Sequence, residues 1–78
     1  MAEIIKTFEV FVGLGKVKVE YDLYCGDMEH FSFYGKGVSE TGYRSHFFCK
    51  SEMKEGETIE QYAQRVALEL NRELQHKK

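Results

Sequence analysis

Lys16-Val17-Lys18-Val19-Glu20-Tyr21-Asp22-Leu23-Tyr24-Cys25 is the stretch on which the fold turns. Val17, Val19, Tyr21, Leu23 and Cys25 alternate with Lys16, Lys18, Glu20, Asp22 and Tyr24. A period of two marks a strand with one face on a core and the other in water. Such a strand needs neighbours, and the flanking residues supply them. Upstream, Ile4 to Val12 places Ile4, Phe8, Val10 and Val12 on one face, with Ile5, Thr7, Glu9 and Phe11 on the other. Gly13-Leu14 suits a two-residue type II′ hairpin loop, which wants glycine at its first central position. The register then pairs Val12 with Gly15, Val10 with Val17, and Glu9 with Lys18 across the strands.

Downstream, Cys25-Gly26-Asp27-Met28-Glu29 turns the chain into a third strand, His30 to Tyr34, with Phe31 and Phe33 inward. Gly35 to Gly42 holds three of the seven glycines and reads as the most flexible segment. A fourth strand, Tyr43 to Lys50, follows with Tyr43, Phe47 and Cys49 in the inward phase. Thr58 and Gln61 then form a capping-box pattern. Acidic Glu55, Glu57 and Glu60 precede basic Arg72, His76, Lys77 and Lys78, the charge order a helix macrodipole favours. Ile59, Tyr62, Ala63, Val66, Ala67, Leu70 and Leu74 form one apolar stripe over residues 59–75. The expectation is an α+β domain: a four-stranded antiparallel β-meander (about 4–12, 16–25, 30–34 and 43–50) with a C-terminal helix on one face.

With 78 residues the chain has room for a single core. It has 11 basic and 13 acidic side chains, a net charge of −2, and no proline. That balance excludes a disordered tail and bulk phosphate-driven nucleic-acid binding. Met1-Ala2-Glu3-Ile4-Ile5-Lys6 lacks a basic lead and a long apolar run, so a cytoplasmic location is expected. Cys25 and Cys49 read as buried free thiols, with a disulfide or redox pair as the alternative.

No local motif carries chemistry. Gly13-Leu14-Gly15-Lys16 lacks the earlier glycine and the following Ser or Thr of a phosphate loop. His30 and His46 would meet on the outer face near Glu20 or Asp22, but no ligand spacing supports a metal site. The serines and carboxylates show no nucleophile-elbow signature. Neither catalysis nor a cofactor is therefore expected.

The outer face of the sheet is the informative surface. One helix covers one side only, and the alternation leaves Ile5, Phe11, Tyr24, His30, Tyr34, His46 and Phe48 on the other, with Leu68 on the far side of the helix. Phe11, Tyr24, His30, Tyr34, His46, Phe48 and Leu68 are the candidate interface. The expected role is a small interaction module, a homodimer or a binder of a larger cytosolic protein, using this face or an edge strand. The alternative is a single-stranded nucleic-acid binder, with Lys16, Lys18, Arg44 and Lys50 on phosphates and Tyr24, Tyr34 and Phe48 stacking bases. Glu57-Thr58-Ile59-Glu60-Gln61-Tyr62-Ala63 after a short sheet resembles the strand-to-helix step of HicB-type antitoxins, mostly in its capping chemistry, and carries no residue roles over. The compact, acidic, motif-free profile also fits phage and prophage accessory proteins.

Overall fold

The computed structural model describes residues 3–13, 15–24 and 28–76. Four strands, β1 (Glu3–Val12), β2 (Gly15–Tyr24), β3 (Met28–Tyr34) and β4 (Tyr43–Phe48), precede a 3₁₀ turn at Lys50–Glu52 and the helix α1 (Ile59–His76). All neighbours are antiparallel and the spatial order is β1-β2-β3-β4, the expected meander. Val12 pairs with Gly15, Val10 with Val17, and Glu9 with Lys18, the register expected from the hairpin. Gly13 has φ 61°, the positive value that a tight hairpin demands at this position. Leu14, Cys25, Gly26, Asp27, Lys77 and Lys78 lie outside the described residues, and with them the turn type and the expected role of Cys25.

The core lies between the sheet and α1. Phe31, fully buried on central β3, is its hub: its ring centroid lies 4.6 Å from Phe48, 5.5 Å from Phe33, 5.7 Å from Tyr21 and 5.9 Å from Tyr62. Val10, Val12, Val17 and Val19 fill the β1–β2 side, and Tyr62, Ala63, Val66, Ala67 and Leu70 come from the helix stripe. Small Ala63 and Ala67, both fully buried, let the helix backbone approach the sheet.

The helix start forms as its sequence implies. Thr58 N–H donates to Gln61 Oε1 at 3.0 Å, and Gln61 N–H donates to Thr58 Oγ1 at 3.1 Å. Arg65 clamps Glu57 with Nε and Nη2 at 3.1 and 3.0 Å, while Nη2 also donates to the Glu52 carbonyl at 3.2 Å. One guanidinium thereby ties the helix to the 3₁₀ turn. Its hydrogen bonds to Glu57, with the Lys54 N–H, hold the carboxyl down at about 2.

Four local expectations are corrected. A β-bulge between Ile4 and Lys6 flips Ile4 to the outer face, opposite Asp22, and turns Lys6 inward to pair with Glu60 of α1. Gly35–Gly42 is a packed cover: Val38 is buried, and Asn71 Nδ2 donates to the Gly37 carbonyl at 2.7 Å. Gly37 is pressed close to Val12, so a Cβ there would sit 3.4 Å from the valine side chain. Cys49 lies beyond the end of β4 and is an exposed free thiol, because the chain turns into the 3₁₀ segment instead of continuing the strand. Finally, β4 runs in the opposite phase. Tyr34 faces outward and pairs with Tyr43, so Phe48 rather than Phe47 reaches the core.

Two outcomes test this account. Phe31→Ala should lower stability by about 3–5 kcal/mol, measured by urea unfolding, because no neighbour can fill the hub. Glu57 has a folded value of about 2 against an ordinary 4.5, so its contribution is complete above pH 4.5 and fades as pH falls toward 2. The urea midpoint of Glu57→Gln should therefore depend less on pH than that of the wild type across that interval.

Candidate interaction surface on the open sheet face

Pairing decides what the uncovered face carries. Asp22 opposes His30, which opposes Phe47; Lys18 opposes Tyr34, which opposes Tyr43; Tyr24 opposes Met28. Nine large hydrophobic side chains are exposed among the described residues. Seven of them, Ile4, Phe11, Tyr24, Met28, Tyr34, Tyr43 and Phe47, point from this face and are 40–57% exposed.

The face has two aromatic ends around a polar centre. At one end the Phe47 ring lies 4.6 Å from the His30 ring and 5.5 Å from Tyr24, which is itself 6.2 Å from His30. These rings hide the imidazole, so His30 is only 7% exposed although no helix covers it. Beneath them Asp22 Oδ1 lies 2.7 Å from His30 Nδ1, and His30 Nε2 lies 2.6 Å from Ser45 Oγ. At the other end Tyr34 and Tyr43 pair at 5.2 Å, and Lys18 Nζ sits 5.8 Å over the Tyr34 ring. Tyr34 also donates to Glu20 at 3.1 Å; burial first and this carboxylate second push its hydroxyl pKa up.

Several expected members of the surface lie elsewhere. Phe48 is 2% exposed in the core, its centroid 4.8 Å from Tyr62. His46 shares the helix-side phase, stacked 6.2 Å from Phe48, and burial pushes its pKa down. The two histidines therefore stand on opposite sides of the sheet and do not meet. Arg44 also faces the helix side, lining a cleft of about 170 Å³ with Val38, Leu70 and Glu73. Lys50 belongs to the 3₁₀ turn beyond β4. Leu68 is exposed on α1, away from the sheet. Phe11, Tyr24, His30 and Tyr34 do share the outer face with Lys16 and Lys18, and the inverted phase of β4 adds Tyr43, Ser45 and Phe47.

The edges differ as well. The Phe11 N–H donates to Gln64 Oε1 at 2.9 Å and Gln64 Nε2 donates to the Phe11 carbonyl at 2.6 Å. A helix side chain thus occupies the hydrogen-bonding edge of β1 there, the function proline serves in other sheets.

With this geometry in view, the comparison with known families is specific. Residues 5–78 match the model of the KlcB third domain. The chain belongs to that family. No curated protein and no solved structure matches. The match runs from within β1 through the rest of the meander and the helix, whereas the antitoxin likeness concerned the helix start alone. Among the described residues, no helix is long and apolar enough to cross a membrane.

The ring cover over His30 is testable. Tyr24→Ala with Phe47→Ala should raise the rate at which diethyl pyrocarbonate modifies His30 at least several-fold. Peptide mapping separates that site from His46 and His76, whose rates should stay unchanged.

Proposed function

We propose that this domain is a self-associating protein-interaction module, two copies stacking through their open sheet faces. The observation that carries the reading is the concentration, among the described residues, of seven of nine exposed large hydrophobics on the one face without a helix. Patches of this kind mark association surfaces in small soluble domains. Size favours a flat partner. Four strands about 4.8 Å apart and roughly 25 Å long present on the order of 500 Å² in plan. Stable interfaces bury about 800 Å² of rough surface per partner, so nearly the whole face must be covered. A second sheet, packed about 10 Å away, does this. Charge is compatible with self-pairing, because Lys16 and Lys18 share the face with Glu9, Glu20 and Asp22.

That mixture also weighs against the nucleic-acid reading. With Arg44 and Lys50 elsewhere, the face keeps two of the four lysine and arginine contacts, and Lys18 already sits 3.5 Å from Glu20. A cytoplasmic setting and an accessory role in a phage or prophage are compatible with this reading and add nothing to the geometry.

Sedimentation of the full chain over a dilution series should show a monomer–dimer equilibrium. Phe47→Ser, at an exposed position, should shift it to monomer by at least tenfold in dissociation constant with little change in melting temperature. A strict monomer at millimolar concentration, or a dimer indifferent to Phe47→Ser, overturns the proposal. Single-strand oligonucleotide binding that falls steeply with salt would replace it with the nucleic-acid reading.

A further inference from the structure

Asp22, His30 and Ser45 stand on three neighbouring strands and form one hydrogen-bonded line across the open face. An ionised carboxylate can only accept, so in the neutral ring Nδ1 carries the proton and donates to Asp22. The lone pair of Nε2 is then turned to Ser45, whose hydroxyl donates to it over 2.6 Å. Nucleophile, base and orienting carboxylate are recognised by such roles and distances, whatever their order in the chain. Burial divides in the sense the chemistry needs. Asp22 and His30 are 8% and 7% exposed, while Ser45 lies open to solvent. Tyr43 and Phe47, two residues to either side on the same face, stand roughly 7 Å from Ser45 along the strand and provide aromatic walls.

We propose that Ser45 is an activated nucleophile that small aryl esters acylate, with His30 as general base and Asp22 as the positioning residue. Ser45 Oγ bonds to the acyl carbon as its proton passes to His30 Nε2. The bond from that carbon to the aryl oxygen breaks, and the departing aryl oxide takes the proton from Nε2. The Asp22 carboxylate stabilises the imidazolium between the two transfers. Water, giving its proton to the same nitrogen, then attacks the Ser45 ester; the carboxylic acid leaves and Oγ recovers a proton. Self-association is a separate property of the same face, so the test is run in dilute solution where sedimentation shows monomer.

The full chain is treated with a fluorophosphonate, and separately with p-nitrophenyl acetate, and adducts are located by peptide mass mapping. Ser51 is exposed, lies in the 3₁₀ turn, and serves as an internal reference. Ser45 should be modified at least 100-fold faster than Ser51, Ser45→Ala should lose that adduct, and His30→Gln should slow it by about 100-fold. Asp22→Asn should slow it too, and should remove the strongly downfield proton resonance of an imidazole N–H held by a carboxylate. Equal modification of Ser45 and Ser51 in the wild type overturns the proposal without any variant. So does an undiminished Ser45 rate in folded His30→Gln, or a downfield resonance indifferent to Asp22→Asn.

Discussion

The contact of Phe48 with Phe31 and Tyr62 sets the orientation of everything on the fourth strand. Phe48 joins a ring cluster whose centroids lie 4.6 Å from Phe31 and 4.8 Å from Tyr62, and it is almost wholly removed from water. Aromatic burial on this scale, with tilted contacts, is worth several kcal/mol in total. Successive strand residues face opposite ways, so an inward Phe48 forces Phe47 and Ser45 outward. Ser45 then meets the imidazole of His30, and Phe47 lies over the ring. The polar line on the open face is a consequence of how the core closes on the other side.

The same constraint explains which parts of the fold were legible in the residues. β2 alternates without ambiguity, and the glycine at Gly13 fixed the loop length, so the β1–β2 register could be read directly. Thr58 and Gln61 marked the helix start because their bonds are local. Tyr43-Arg44-Ser45-His46-Phe47-Phe48-Cys49 offers an apolar residue in either phase, and counting favours the wrong one. The choice is made by a long-range contact, between Phe48 and a helix residue 14 positions later. Val38 was missed for a related reason. A lone valine among glycines carries no periodicity; it is buried through long-range packing, beside the Gly37 carbonyl that Asn71 holds. Ile4 changed face through a bulge, which leaves no mark in the pattern.

The surface was half legible. Phe11, Tyr24, His30 and Tyr34 were placed by the alternation of strands whose phase was clear. The error on β4 exchanged Phe48, His46 and Arg44 for Phe47, Ser45 and Tyr43, and so concealed the contact of His30 with Ser45. A hydrogen bond between residues 15 apart has no spacing signature in a single sequence. The signal available was weaker: a histidine and an aspartate on the outer phase of consecutive strands whose mutual register the residues did not fix.

The absence of proline takes on a physical meaning once the edges are compared. Edge strands without proline invite pairing. Here α1 answers for β1, since Gln64 satisfies both backbone groups of Phe11 and Glu60 pairs with Lys6. The helix leans toward β1, and β4 at the other edge carries the exposed Tyr43, Ser45 and Phe47. Ser45 therefore lies at the rim of the apolar face, with the buried Asp22–His30 pair nearer its centre. Two stacked sheets would exclude water from that centre first and strengthen the bonds of the pair, because the local dielectric falls. They would also narrow access to the rim. On the two proposals made above, association and acylation at Ser45 would compete for the same face, and the domain's concentration would set which of the two it serves.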